Sequence, residues 1–107
     1  MPESRLPESR LKVATVDEIP PGEGRVVEAG GRTLAIFNVE GRFYALDNAC
    51  AHRGGPLGEG ELEGAVVRCP WHAWRWDVTT GASTNNPAIR VASFPVTVEN
   101  GEVLVGI

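Results

Sequence analysis

The chain has 107 residues with a net charge of −4, 42% hydrophobic residues, 13 glycines and 8 prolines, so we expect one turn-rich globular domain. The acidic balance argues against nucleic-acid binding, because proteins that bind nucleic acid usually carry a basic face. No apolar run approaches the roughly 20 residues that span a bilayer, and residues 1–11 lack the apolar segment of a signal peptide. We therefore expect a cytoplasmic protein without membrane contact, and nothing in the sequence requires more than a monomer.

Short strands separated by turn residues account for most of the chain. Residues 2–11 are two copies of Pro-Glu-Ser-Arg-Leu, and we expect residues 1–10 to form a flexible segment before one domain over 11–107. The alternating pattern predicts eight strands, at Leu11–Thr15, Arg25–Ala29, Thr33–Val39, Arg42–Leu46, Ala65–Arg68, Trp74–Val78, Ser93–Val98 and Glu102–Val105. Three pairs predict hairpin turns: Gly30-Gly31, Glu40-Gly41 and Asn100-Gly101. Since no window has helical periodicity, the fold class is all-β, a small sandwich or barrel.

The region between the central strands is rich in glycine and acidic residues. Glycine occurs at five of the twelve positions from 53 to 64 and proline at one, and such loops let backbone N–H groups approach a ligand closely. Glu59, Glu61 and Glu63 alternate in this region, and we interpret them as a solvated loop edge.

The soft metal ligands of the chain fall in two short segments. Its only cysteines and histidines form Cys50-Ala-His52 and Cys69-Pro-Trp-His72, with sixteen residues between the two pairs. Thiolate sulfur and imidazole nitrogen bind iron, zinc and copper well. Because each pair follows a predicted strand, the two loops could face each other at one end of the scaffold and share a metal centre.

Three interpretations of this set stay open on spacing alone. The first is buried cysteines and hydrogen-bonded histidines without a metal, which the close pairing disfavours. The second is a tetrahedral zinc site in an interaction module, although zinc modules usually pair Cys with Cys and His with His. The third is a [2Fe–2S] cluster with two cysteines on one iron and two histidines on the other. The mixed pairs suit this arrangement best.

The sequence from Cys69 to Asp77, together with Cys50-x-His52 and the Thr80-Gly81 turn, resembles a Rieske-type ferredoxin over essentially the whole of residues 11–107. The resemblance implies a Rieske fold of antiparallel sheets with a cluster-binding subdomain at about residues 47–82. It implies that both cysteines bind the buried iron and that both histidines bind the outer iron through Nδ1. It also suggests Pro87 as the proline of a third loop over the cluster.

Differences from the respiratory branch of the family indicate a low reduction potential. Gly55 and Trp71 stand where that branch has two disulfide-forming cysteines. Trp74 and Trp76 stand where it has a serine and a tyrosine that donate hydrogen bonds to sulfur. Fewer donors leave the added negative charge of the reduced cluster less stabilised, so we expect the low end of the roughly −150 to +300 mV range of Rieske centres. Packing in the core is the simpler role for Trp74 or Trp76, whereas Trp71 could shield the cluster or contact a partner.

The histidine count decides between enzyme and carrier. A Rieske oxygenase needs a second iron held by two histidines and a carboxylate, and no histidine remains once the cluster is bound. The resemblance therefore implies an electron-transfer ferredoxin without an active site of its own. Its partners would be a flavin-containing NAD(P)H reductase and the terminal oxygenase of a multicomponent dioxygenase or monooxygenase. The alternatives are the small subunit of an NAD(P)H-dependent nitrite reductase and the zinc-stapled interaction module.

Overall fold

The computed structural model describes residues 10–49, 56–71 and 74–106. In these ranges the chain forms ten strands, two short 3-10 turns (Val16–Glu18 and Leu57–Glu59) and no α-helix. The strands are Arg10–Thr15 (β1), Gly24–Ala29 (β2), Arg32–Val39 (β3), Arg42–Asp47 (β4), Glu61–Glu63 (β5), Val66–Arg68 (β6), Arg75–Asp77 (β7), Ser93–Phe94 (β8), Val96–Glu99 (β9) and Glu102–Gly106 (β10). The all-β prediction is confirmed. No helical segment of the described ranges is long and apolar enough to cross a membrane.

Three antiparallel sheets build the molecule, in the strand orders β1-β10-β9, β2-β3-β4-β8 and β5-β6-β7. Strand β3 lies inside the four-stranded sheet and is buried on both faces, which explains its continuous apolar run Leu34–Phe37. Leu34 and Ile36 pack with Val103 and Val105 of β10, whereas Ala35 and Phe37 pack with Val67 and Trp76 of the third sheet. The central sheet therefore separates two cores, one toward each outer sheet.

The hairpin turns form where the sequence predicts them. Gly30-Gly31, Glu40-Gly41 and Asn100-Gly101 join β2 to β3, β3 to β4 and β9 to β10, and all six residues have positive φ. Consecutive positive φ angles are the signature of the type I′ turn, whose twist matches that of the flanking strands. These three turns set the register of the β2–β3, β3–β4 and β9–β10 pairs.

Two parts of the strand prediction are wrong. The predicted strand Ser93–Val98 is two strands, because Pro95 lacks a backbone N–H and the chain changes sheets there, from β8 beside β4 to β9 beside β10. Residues 61–63 were expected to be a loop edge but form β5, whose outer two side chains are exposed glutamates. The two glutamates alternate with the apolar Leu62. Charged residues on a short alternating segment are typical of an edge strand, and this signal was missed. The predicted flexible segment lies outside the described residues, except for Arg10 in β1.

Candidate metal centre

The hairpin between β6 and β7 carries the second ligand pair. Cys69 directly follows β6, its backbone N–H donates to the carbonyl oxygen of Trp74 at 2.8 Å, and its side chain is only 1% exposed. Trp71, two residues further on, is 61% exposed. His72 lies outside the described residues. The hairpin thus runs from the protein core to solvent between Cys69 and Trp71.

The first ligand pair belongs to a loop whose two ends are held together. Ala49 and Pro56 form an isolated bridge, and the backbone oxygen of Asn48 accepts the N–H of Leu57 at 2.8 Å. The side-chain oxygen of Asn48 accepts the N–H of Gly58, also at 2.8 Å. Cys50, His52 and Gly55 lie outside the described residues, and their placement stays a prediction. The structure shows that the two ends of this loop, Ala49 and Pro56, pair with each other directly after β4.

The segments that flank the two loops share one core. Leu57, directly after the first loop, and Cys69, at the start of the second, are both buried in the cluster that also contains Trp76. Gly60 lies so close to β6 that a Cβ atom there would collide with the carbonyl oxygen of Arg68. The described flanks of the two loops therefore lie in one core, and the expectation that the loops themselves face each other stays a prediction.

A third connection, residues 82–90, packs against β7 beside the second hairpin. The backbone N–H of Arg75 donates to Oδ1 of Asn85 at 2.8 Å, and the backbone oxygen of Arg75 accepts the N–H of Thr84 at 2.9 Å. Ser83 is buried, donates from Oγ to the same oxygen of Arg75, and accepts the N–H of Asn85. Pro87 is exposed within this connection, and its suggested contact with the cluster stays a prediction.

The three tryptophans have three different environments. Trp76 is fully buried, and Trp74 is partly buried against the same core with its ring centroid 6.1 Å from that of Trp76. Core packing of these two residues is thus confirmed, whereas Trp71 projects into solvent. Within the described ranges, Nε1 of Trp76 is the one buried side-chain nitrogen or oxygen without a hydrogen-bond partner.

Sequence reasoning missed the residues that hold the loops. Asn48 and Ser83 carry short polar side chains that bond to nearby backbone groups, a common property of these residue types in turns. For Asn48 a signal was available, because it is an asparagine just beyond the end of a predicted strand and two positions before Cys50. For Ser83 the sequence holds no comparable signal, because its partner Arg75 is in another element.

The antiparallel β scaffold buries Cys69 at the root of a hairpin and holds the flank of the other Cys-His loop beside it, an arrangement that suits a small metal-binding protein. The model of the Rieske [2Fe-2S] domain matches residues 9–95. The chain belongs to the Rieske [2Fe–2S] family, and it carries one Rieske-type [2Fe–2S] cluster.

Individual relatives agree with this assignment. The ferredoxin component of naphthalene 1,2-dioxygenase/salicylate 5-hydroxylase systems from Ralstonia sp. is 36% identical over 96 residues, which cover 89% of this chain and 92% of the relative. A chain in the solved complex of reduced oxygenase and oxidised ferredoxin of carbazole 1,9a-dioxygenase is 35% identical, with a TM-score of 0.85 and 94% of each chain covered. A nitrite reductase (NADPH) small-subunit structure is 19% identical, with a TM-score of 0.80 over 92% of this chain and 98% of that one, and so shares the fold.

The described residues fit such a cluster. A buried thiol at Cys69 and a solvent-facing hairpin tip at Trp71 suit a cofactor with one inner and one outer iron. The unpartnered N–H of Trp76 adds a donor to the core that contains Cys69. Sulfur ligands that are buried and near N–H donors are the usual environment of iron–sulfur clusters.

Proposed function

We propose that this chain is a low-potential Rieske ferredoxin that carries single electrons from a flavin-containing NAD(P)H reductase to a terminal oxygenase. In this proposal Cys50 and Cys69 bind the inner iron, and His52 and His72 bind the outer iron. The domain spans residues 11–107, with the cluster-binding subdomain at about 47–82, and meets its partners transiently as a monomer. A cytoplasmic location stays the prediction made from sequence.

The observation that carries the proposal is the change from burial to exposure along the second hairpin. Cys69 is 1% exposed and Trp71 is 61% exposed. Ligands on this hairpin would therefore hold one iron within the core and the other near the surface. The similarity to ferredoxin components over nearly their whole length supports an electron carrier.

The chain's own residues would govern how an electron enters and leaves. When bound, the [2Fe–2S] cluster supplies one-electron redox chemistry. The apolar side chains around Cys69, among them Leu57 and Val67, exclude water from the inner side. Trp71, which precedes His72 in the sequence, is exposed and offers an apolar contact to a partner protein. Aromatic side chains are enriched in such contacts, and the interfaces of electron carriers are small and transient.

The absence of a catalytic function follows, in this proposal, from the residue inventory. Both histidines and both cysteines of the chain are assigned to the cluster. No imidazole or thiol is then left to bind a second metal or to act as base or nucleophile. The protein would transfer electrons between partners and would not transform a substrate.

Spectroscopy of the reconstituted protein tests the proposal. We expect a red-brown protein whose dithionite-reduced form has an EPR signal of low average g value, and a midpoint potential at the low end of the Rieske range. His72→Cys should change or abolish the signal, whereas Glu63→Ala, at an exposed position of β5, should leave it unchanged. A colourless protein with bound zinc and no acid-labile sulfide would instead establish the zinc module.

Electron transfer needs its own measurement. Reduction of the ferredoxin by NADH and a flavin reductase, followed by reoxidation on mixing with a Rieske oxygenase component, should be rapid and should fail with His72→Cys. Stable co-purification with a large haem-bearing chain, without transfer to any oxygenase component, would favour the nitrite reductase subunit.

A further inference from the structure

The strongest unexplained feature of the described structure is the indole N–H of Trp76. The side chain is 0% exposed, and Nε1 has no hydrogen-bond partner within the described residues. A buried donor without an acceptor destabilises the folded state, so native proteins rarely leave one. A hydrogen-bond acceptor for this N–H, placed within the core, would therefore stabilise the folded protein.

The surroundings of Trp76 limit what that acceptor can be. Nine buried side chains form its core, and apart from Trp76 only Cys69 among them carries a heteroatom. The others are hydrocarbon side chains: Ala35, Phe37, Leu46, Leu57, Val67, Val78 and Val91. Tyr44 packs against this core and Ser83 pairs with Trp76, but neither accepts a hydrogen bond from Nε1. Among the nine buried side chains themselves, the sulfur of Cys69 is the one possible acceptor.

Strand register brings the donor toward that sulfur. Trp76 lies opposite Val67, and Trp74 bonds to the backbone of Cys69. Because side chains two apart share a face, Cys69 and Trp76 are diagonal neighbours on one face of the β6–β7 pair. Diagonal neighbours are about 7–8 Å apart, within reach of an aromatic side chain.

We propose that Nε1–H of Trp76 donates a hydrogen bond to a sulfur at the inner iron, either a cysteine sulfur or a bridging sulfide. The inference rests on the cluster that the family assignment gives this chain. A donor to an ionised acceptor makes a stronger bond as negative charge increases. One-electron reduction adds a negative charge to the iron–sulfur unit, so the bond favours the reduced state. Trp76 therefore supplies one of the two sulfur donors that the sequence comparison counted as missing. It raises the reduction potential above that of a Rieske centre with neither donor, and the potential stays low because Trp74 still replaces the serine.

The experiment compares the holoprotein with two Trp76 variants. Trp76→Phe removes the N–H and leaves a smaller ring, and replacement of Trp76 by benzothienylalanine removes the N–H while nearly preserving the shape. Phe37→Leu loosens the same core without removing a donor and is the packing control. The readouts are the midpoint potential and the coupling of an exchangeable deuteron to the reduced cluster by pulsed EPR, after refolding and reconstitution in D₂O.

We expect both Trp76 variants to disfavour reduction about tenfold, which is about 59 mV for a one-electron couple. Both should lose one deuteron coupling, and Phe37→Leu should keep it with less than about a threefold change. An unchanged potential with the coupling retained in the benzothienylalanine protein would overturn the proposal, as would a shift equal to that of Phe37→Leu. A wild-type protein without a Rieske spectrum would refute the proposed function instead, before any variant is compared.

Discussion

The side-chain oxygen of Asn48 accepts the backbone N–H of Gly58 at 2.8 Å, across the two ends of the loop that carries Cys50 and His52. The same residue donates its own N–H to Thr33 on β3 and accepts that of Leu57. One asparagine thus fixes both ends of the loop to the central sheet. Gly58 is itself buried, and a Cβ atom there would collide with Val26 on β2.

Asn48→Ala should therefore weaken the first ligand loop. The N–H of Gly58 would be left buried without a partner, at a cost of about 1–3 kcal/mol in the free energy of unfolding. We expect a lower urea midpoint and faster bleaching of the cluster absorbance on warming. Asn48→Asp keeps the acceptor and should restore most of the cluster lifetime. Equal bleaching rates for wild type and Asn48→Ala would show that the backbone bonds suffice.

Ser83→Ala should loosen the connection that packs beside the second hairpin. Oγ of Ser83 donates to the backbone oxygen of Arg75 at 3.1 Å and accepts the N–H of Asn85 at 3.1 Å, and the residue is 1% exposed. Loss of this buried hydroxyl should lower the free energy of unfolding by about 1–3 kcal/mol. Amide exchange at Asn85 should accelerate in the native protein. Ser93→Ala, at an exposed position of β8, should change neither quantity.

The sequence predicts the parts of this fold that depend on local chemistry. Paired positive φ angles at turns such as Asn100-Gly101, and the position of Cys69 directly after a strand, follow from short patterns. The split at Pro95 and the pairing of Ser83 with Arg75 depend on which sheets lie adjacent, information that no short window holds. The burial of Cys69 and the exposure of Trp71 likewise depend on the pairing of β6 with β7.

Acid should remove a stabilising contact at the first 3-10 turn. The backbone N–H of Thr15 donates to Oε1 of Glu18 at 2.8 Å, and this bond lowers the pKa of Glu18 below its usual 4.5. A carboxyl whose pKa is lower in the folded state stabilises the protein above the unfolded value, and the contribution is lost as pH falls through the folded pKa.

Glu18→Gln should consequently be less stable than wild type near neutral pH and equal to it in acid. The difference in urea midpoint should shrink as pH falls below about 4.5. Glu23→Gln, which removes another exposed carboxylate close by in sequence, corrects for the general change in net charge. A difference that is constant with pH would contradict the role of the Thr15 bond.

Gly60→Ala tests the contact that joins the flanks of the two ligand loops. Gly60 has φ −78°, so alanine meets no backbone strain there, yet its Cβ would collide with the carbonyl oxygen of Arg68, next to Cys69. To avoid this collision β5 and β6 would have to move apart. Forcing extra volume into a packed site lowers the free energy of unfolding by about 1–3 kcal/mol. The displacement would reach Cys69, so we expect lower cluster occupancy after reconstitution as well as a lower urea midpoint.

The matched control for that change is Gly64→Asn in the turn of the same hairpin. Gly64 has φ +61° with nothing within 4 Å of a Cβ atom, and asparagine tolerates this left-handed conformation better than other residues with side chains. We expect its effect to stay within about 0.5 kcal/mol, as for most surface substitutions. Because both variants lie on the β5–β6 hairpin, a loss of cluster specific to Gly60→Ala would trace to its contact with β6. Equal occupancy in both would mean that the hairpin adapts without moving Cys69.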